Sequence, residues 1–460
     1  MEFIVRITQH GVSHLLRALP ICAALALQPG AAHCNHDWVW LGGMEVVDQP
    51  NMPTTPTLGQ TGYPGARSGA LHWTDKAGNL WLYGGRSGGA SNRADFWKYS
   101  PTLETWTYMG GDATGAPAVY PAQVDQPGHP GERSNAVCWV DPKGNLNLFG
   151  GRGRAANSGG VVVGGLVNDL WCYEIASDRW VWKGGGQLVS GAGQYGSIGQ
   201  TGLPRARVSA GYTVVGNHLY LYGGSTVTQT LHDFWRLDIT AANLQWVLLG
   251  GDGTGDNPGI IPDTIGEVGY PGSREGAMMW PSGNQGFSLM GGIGPGAVTP
   301  GNFTNDVWFY ETGSAQWTLQ APNSPGNFPS TYHQQGVPGR RMRGAVWSTP
   351  FGTQIFGGSG LFTNNLPTLF NDHWINDGTN KWLWVDGSDS RPPARFYPAA
   401  HGMNGTPYGR YGSSYWYEPV SQKLYLFGGQ ASVNGDYTHD FWVRDANFQT
   451  SAVGDWQLWD

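Results

Sequence analysis

Six arginines, each ending the element Gly-x-Pro-x-x-Arg, are the residues whose type and spacing could do chemistry. A guanidinium group binds a carboxylate with two parallel hydrogen bonds, so each could pair with an acid of the chain or bind an anionic ligand. Glu132 and Glu275 each lie beside one of these arginines, and such a carboxylate could act as general base on an anionic sugar that the arginine orients. The arginines are Arg67, Arg133, Arg207, Arg274, Arg341 and Arg410.

The elements that must position these arginines recur in a fixed order after each one. A short apolar run follows the arginine, then a turn, a second apolar run ending in two glycines, a loop, an Asp-x-Trp element and a last tryptophan. We name the four strand-like runs a, b, c and d. The glycine pairs begin at Gly84, Gly150, Gly223, Gly291, Gly357 and Gly428. The Asp-x-Trp elements begin at Asp95, Asp169, Asp233, Asp306, Asp372 and Asp440. The last tryptophans are Trp106, Trp180, Trp246, Trp317, Trp382 and Trp456.

Six copies of a four-strand unit predict the blades of a β-propeller. Successive arginines lie 66 to 74 residues apart, and one unit cannot bury both faces of its sheet, so the blades must stack around an axis. The double glycine and the downstream tryptophan resemble the Kelch repeat, the blade type also found in the central domain of galactose oxidase. The resemblance spans residues 38–460. The expected fold is an all-β, six-bladed propeller of four-stranded antiparallel blades, without the appended domains of galactose oxidase.

Ring closure is the feature that the repeat leaves open. Trp38 to Gly43 looks like a strand d with no strands a to c before it, and the chain also ends in a strand d of its own, Trp456 to Trp459. We expect the N-terminal strand to close onto the last blade as an extra or competing outer strand, because joining the chain ends removes an exposed sheet edge. A seventh, incomplete blade is the alternative.

In such a propeller the six arginines begin the innermost strands, at the mouth of the central channel. We favour the structural interpretation for most of them, in which each arginine pairs with the aspartate of an Asp-x-Trp element. The functional interpretation is a ring of positive charge that binds an anionic ligand.

The two cysteines of the second blade test the strand assignment. Cys138 falls in strand a and Cys172 in strand c, so strand b separates them by about 9–10 Å. A disulfide needs Cα atoms within about 7 Å of each other. We therefore predict that both thiols are free and buried.

The beginning of the chain and its charge indicate export. Arg6 and Arg17 precede an apolar stretch, and small residues follow at 30–32, which is typical of a signal peptide over residues 1–32. Residues 38–460 would then be a single secreted or periplasmic domain. The formal net charge is −7 and no Lys/Arg run occurs, so neither nucleic acid nor membrane insertion is expected.

The lengths of the connections predict the working surface. The b–c and d–a connections lie on one face of a propeller and are long here, whereas the a–b and c–d turns are short. Long loops on a rigid scaffold are where binding sites are built. We predict a binding or interaction module without a cofactor, which captures a small molecule, a glycan or a protein on that face.

The resemblance also implies two enzymatic alternatives. Some exported Kelch propellers of six blades are sugar mutarotases or epimerases, and Glu132 or Glu275 would then be the base. The resemblance to galactose oxidase implies a copper-radical site, with two Tyr and two His at the metal. Tyr332, His333 and His401 are residues of those types in the long d–a loops. Copper would be the cofactor only in that case.

Overall fold

The computed structural model describes residues 38–43, 47–88, 92–294, 303–323, 335–361, 367–376, 378, 381–387, 400–432 and 435–447, with only the backbone at 335–336. Residues 36–460 form one compact unit. Its described part consists of six antiparallel sheets joined by turns and loops. No helix that could span a membrane occurs in this part of the chain.

Each sheet is one blade, with strands a to d running in order from the axis outward and a two-residue strand outside strand d. We call this last element the edge strand. Strands a are Leu71–Thr74, Val137–Val140, Gly211–Val215, Met278–Pro281, Ala345–Thr349 and Ser414–Glu418. Strands b are Leu80–Tyr83, Leu146–Ala156, His218–Tyr222, Gly286–Ile293, Gly352–Leu361 and Lys423–Gln430. Strands c are Phe96–Ser100, Val162–Glu174, Phe234–Asp238, Phe303–Glu311, Pro367–Asn376 and Tyr437–Asp445.

The outer strands complete the blades. Strands d of blades 1 to 5 are Thr105–Gly110, Arg179–Gly185, Trp246–Gly250, Gln316–Ala321 and Trp382–Asp386. The edge strands are Thr61–Gly62, Gln126–Pro127, Thr201–Gly202, Val268–Gly269, Gln335–Gly336 and Asn404–Gly405. Blades 2 and 5 each have one more two-residue strand, which pairs with the C-terminal part of strand b. These strands are Arg133–Ser134 and Arg341–Met342. The predicted six-bladed propeller is confirmed, but its four-stranded blades are not, because the sheets have five or six strands.

The N-terminal strand Trp38–Gly42 closes the ring as strand d of blade 6. Its residues Val39 and Trp40 pair with Val443 and Trp442 of strand c. Trp38 therefore takes the place that Trp106 holds in blade 1. The predicted closure onto the last blade is confirmed, and the strand occupies position d rather than adding outside a complete blade. The expected strand at Trp456 to Trp459 lies outside the described residues.

Aromatic side chains fill the contacts between neighbouring blades. In blade 1, Trp81, Tyr83 and Phe96 pack against Tyr173 and Trp180 of blade 2. Comparable clusters join the other neighbouring pairs, including the pair that closes the ring. Since large apolar areas are buried between the blades, these contacts hold the ring together.

The prediction for the cysteines is confirmed. Cys138 and Cys172 are both free and buried. Strand b lies between them, with Leu148 opposite Cys138 and Asn147 opposite Cys172. Burial raises the pKa of both thiols, that of Cys172 to about 12, so neither is a reactive thiolate at neutral pH.

Candidate functional site

Each repeated arginine forms a buried ion pair with the aspartate of its own blade. In blade 1, Arg67 donates from both terminal nitrogens to the two carboxylate oxygens of Asp95 at 2.8 Å. Arg67 also donates to the carbonyl oxygen of Gly84, the first glycine of the pair, at 2.8 Å. Trp97 donates its indole N–H to the same carboxylate at 2.9 Å. One carboxylate therefore ties the starts of strands a and c together beside the end of strand b.

The same arrangement occurs in the other five blades. The pairs are Arg133–Asp169, Arg207–Asp233, Arg274–Asp306, Arg341–Asp372 and Arg410–Asp440. Burial alone would raise the pKa of Asp95, but Arg67 holds it below its ordinary value. The predicted Arg–Asp pairing is confirmed. Ligand binding by these six arginines is untested and stays a prediction. Their guanidinium groups are already paired with the aspartates.

The glycine that begins the Gly-x-Pro-x-x-Arg element has a packing reason in blades 1 to 4. A Cβ added to Gly62 would lie 3.2 Å from the ring of Trp97 and 2.6 Å from a loop carbonyl. At Gly269 the same distances are 3.0 Å to Trp308 and 2.4 Å to a carbonyl. Any side chain here would displace the tryptophan of the Asp-x-Trp element, so only glycine fits.

A closed ring of backbone hydrogen bonds surrounds the axis, two residues after each repeated arginine. Each N–H donates to the carbonyl oxygen of the equivalent residue in the preceding blade, at 2.7–3.1 Å. All six residues have φ between 52° and 68°, the left-handed region that favours glycine. We call them the axial ring; they are Gly69, Asn135, Ser209, Gly276, Arg343 and Gly412.

Side chains fill the channel on the far side of the axial ring. The thiol of Cys138 lies 3.1 Å from the hydroxyl of Tyr212, and the rings of His72 and Tyr415 are 4.4 Å apart. Burial lowers the pKa of His72 to about 4, so its imidazole is neutral. The space left on the axis is about 120 Å³. This space is too small for a peptide.

Two arginines lie on the opposite side of the axial ring from the filled channel, beside the segments that lead into strands a. Arg86 and Arg152 follow the double glycines of blades 1 and 2, and both are exposed. Among the described residues, neither makes a side-chain hydrogen bond or ion pair. Their charges are therefore available to a ligand, unlike those of the six repeated arginines.

Arg343 and Glu275 form a polar pair across the ring from these arginines. The guanidinium of Arg343 donates to the hydroxyl of Ser209 and lies 3.9 Å from the carboxylate of Glu275. Its carbon is 6.0 Å from the ring centre of Tyr411. The hydroxyl of Ser225 donates to Glu275. We call Arg86, Arg152, Arg343, Glu275 and Tyr411 the funnel.

Glu132 has a different environment from Glu275. It is buried on blade 2 and charged groups of Arg154, Arg133 and Arg152 act on it. Burial raises its pKa, and the nearby arginines and a hydrogen bond with Asn92 only partly oppose the shift. A catalytic role for either carboxylate is untested and stays a prediction.

The residues predicted for copper are not brought together by anything observed. Tyr332 and His333 lie outside the described residues. The ring of His401 packs edge-on against Trp40, with 4.3 Å between ring centres. Within the described ranges, no group of three His, Cys, Asp or Glu side chains is placed to hold a metal. A copper site stays a prediction without support in this geometry.

Sequence reasoning missed the funnel because it followed the residues that recur. Arg86 and Arg152 occupy a position that is Ser, Ile or Gln in the other blades, and Arg343 occupies one that is otherwise Gly, Asn or Ser. A comparison of the residues that differ between repeats would have shown three arginines at two non-repeating positions.

Comparison with known families agrees with the fold. The family model of the Kelch motif matches residues 206–250, which contain strands a to d of blade 3. No curated protein matches the chain. The same elements build all six blades, so the chain is a six-bladed β-propeller whose third blade matches the Kelch motif.

Proposed function

We propose that this protein is an exported binding module that captures an acidic segment of a partner protein in the funnel. Kelch propellers typically act as protein-interaction modules. The observation that carries the proposal is the pair Arg86 and Arg152, which are exposed at equivalent positions of adjacent blades and form no ion pair or side-chain hydrogen bond among the described residues. Glu132, the carboxylate on which the charge of Arg152 acts, is itself buried. Two guanidinium groups so placed suit carboxylates of an extended chain.

The negative net charge of the whole protein makes the positive charge of the funnel more selective for an acidic partner. The formal net charge is −7, whereas the funnel contains three arginines and one glutamate. An acidic partner would be repelled from most of the surface and attracted at this one place, which favours correct orientation on encounter.

Backbone strain at the axial ring gives a second argument. Asn135, Ser209 and Arg343 have φ of 54°, 55° and 52°, although glycine holds the other three positions without strain. Non-glycine residues kept in this region cluster at functional sites. Three polar side chains at the base of the funnel are therefore consistent with ligand contact.

The b–c hairpin of blade 2 extends the surface beside Arg152. Strands Leu146–Ala156 and Val162–Glu174 are the longest of the propeller, and Val161 at their tip is 59% exposed. An apolar tip on the same hairpin as Arg152 suits a partner that combines apolar and acidic residues.

Binding of a fluorescein-labelled peptide with alternating Glu and Leu residues, followed by anisotropy, tests the proposal. The double variant Arg86→Glu/Arg152→Glu should bind at least tenfold more weakly, and wild-type affinity should fall with added salt. Arg179→Glu is the control, since Arg179 is an exposed arginine at the start of strand d in blade 2. Equal losses in both variants would contradict the proposal.

A sugar-isomerising enzyme is the second candidate, favoured by the position of Glu275 beside Arg343. In that case Glu275 would abstract a proton while Arg343 or Arg86 holds the carboxylate of an acidic sugar. Anomer exchange followed by NMR for uronic and sialic acids tests it. Glu275→Gln should abolish any acceleration, and unchanged rates in this variant would remove the candidate.

A further inference from the structure

A pocket of about 490 Å³ opens between blades 6 and 1, where the two blades joined by the ring closure meet. Tyr63, Tyr99, Trp106 and Phe441 line its apolar part. Met52 and His401 reach it from two d–a loops. Its volume is within the range of pockets that hold small ligands.

His439 is the observation that points to a ligand. His439 lines this pocket and is only 1% exposed, and neither nitrogen of its ring has a hydrogen-bond partner among the described residues. The carboxylate of the adjacent Asp440 is occupied by Arg410 and Trp442. Buried polar groups are nearly always hydrogen-bonded, so two ring nitrogens without a partner among the described residues, in a residue that lines a pocket, favour a ligand that supplies the hydrogen bonds.

The protonation state of His439 determines which hydrogen-bonding groups the ligand must carry. Burial lowers the pKa of this imidazole, with Arg67 acting in the same direction and Asp440 against it. A neutral imidazole has one N–H donor and one acceptor nitrogen. The ligand must therefore both accept and donate hydrogen bonds, as hydroxyl groups do.

The other residues that line the pocket determine which charge a ligand can carry. Among the described residues that line the pocket there is no arginine or lysine, and Glu104 is the one carboxylate. Anions are therefore disfavoured. Thr61 and Thr105 add hydroxyl groups opposite the aromatic walls. Aromatic faces suit the C–H faces of a pyranose ring, while hydroxyls and a neutral imidazole suit its hydroxyl groups.

We propose that this pocket binds a neutral sugar of one or two pyranose rings through the imidazole of His439, against the walls formed by Tyr63 and Trp106. The site lies between blades 6 and 1, and none of the five funnel residues lines it. It is thus a second binding site, and its existence does not depend on the partner proposed for the funnel.

Saturation-transfer NMR and calorimetry on the full chain test the proposal with glucose, galactose, mannose, N-acetylglucosamine, maltose, cellobiose and lactose. Glucuronic acid and choline are the charged comparisons. At least one neutral sugar should bind. His439→Leu should weaken that sugar about tenfold, the effect of losing a buried hydrogen bond. His232→Leu, at the equivalent position of blade 3, should leave its affinity unchanged.

A variant at the exposed Thr61 keeps the test valid if His439→Leu does not fold. Thr61→Val copies Val268 of the edge strand in blade 4 and should weaken the same sugar several-fold. Arg86→Glu/Arg152→Glu should leave sugar binding intact, which separates this proposal from the proposed function. Absence of binding by every neutral sugar, choline binding that survives His439→Leu, or equal losses in His439→Leu and His232→Leu would overturn it.

Discussion

Two contacts between blades of this propeller share nearly all of their packing and differ in their polar groups. One joins blades 6 and 1, and the other joins blades 3 and 4; we call them seam 6/1 and seam 3/4. Trp106 pairs with Tyr99 at the first, and Trp317 with Tyr310 at the second. Tyr63 and Met52 form a bridge at the first, matched by Tyr270 and Ile260 at the second.

The difference lies at the positions that do not carry the packing. Thr61, Glu104 and His401 of seam 6/1 correspond to Val268, Ala315 and Ile198 of seam 3/4. His232 has Asp252 3.9 Å from its Nε2, whereas His439 has no acidic partner at that distance among the described residues.

The comparison shows that the repeated residues form the packed scaffold, whereas the polar groups available for binding come from residues that differ between the repeats. Six aromatic seams can be built from one pattern, because burial of apolar area needs only size and shape. Binding needs polar groups at particular atoms, so a single seam can gain a site while its equivalents do not.

Loss of the buried guanidinium should be the largest effect at both seams. Arg67→Met and Arg274→Met each leave a buried carboxylate unpaired, and we expect a loss of about 3–5 kcal/mol in the free energy of unfolding. The two losses should be similar, because Asn51 still donates to Asp95 at 2.9 Å in one variant and Thr304 still donates to Asp306 in the other. Urea denaturation measures both. The double variant Arg274→Met/Asp306→Leu should recover part of the loss, and no recovery would contradict a charge effect.

Added methyl groups beneath the tryptophans should give the next largest effect. Gly62→Ala and Gly269→Ala force a Cβ into contact with a backbone carbonyl and a buried indole, and each should lower the free energy of unfolding by about 1–3 kcal/mol. Thermal and urea denaturation follow the change. Gly164→Ala is the control, since no atom lies within 4 Å of its added Cβ. A neutral Gly269→Ala would show that the seam relaxes around the methyl group.

The pH dependence of stability should report the buried imidazole of seam 6/1. The pKa of His439 is lowered in the folded protein, whereas an unfolded histidine titrates near 6.5. The unfolded chain therefore binds a proton that the folded chain does not, and stability falls as the pH drops below about 6.5. His439→Leu should reduce the loss between pH 7 and pH 5 by about 1 kcal/mol. Urea midpoints at pH 7, 6 and 5 measure it, and an unchanged slope would contradict a neutral His439.

Exchange of the exposed edge-strand residues should have the smallest effect on stability. Thr61→Val and Val268→Thr each change an exposed side chain, and we expect the free energy of unfolding to change by less than about 0.5 kcal/mol. Sugar affinity, by contrast, should fall only in Thr61→Val. A stability change above 1 kcal/mol on urea denaturation would assign these residues to packing.

The sequence predicts the parts of the site that recur. The pairing of Arg67 with Asp95 follows from six repetitions of both residues, and the closure by Trp38 follows from its likeness to Trp106. The funnel and the pocket could not be predicted in this way. Arg86 and His439 are single residues in variable surroundings, and what makes them unusual is that the described part of the chain gives Arg86 no ion pair and His439 no hydrogen-bond partner at its ring.

The order of apolar runs, glycine pairs and tryptophans determined the blades, because alternation and turn chemistry act locally along the chain. Only the tertiary structure determined that six residues with φ in the left-handed region close a hydrogen-bonded ring around the axis. It also determined that side chains fill the channel on one side of this ring and that Arg86 and Arg343 lie on the other side. Those outcomes depend on residues from different blades meeting across the axis, at distances that the spacing within one repeat does not contain.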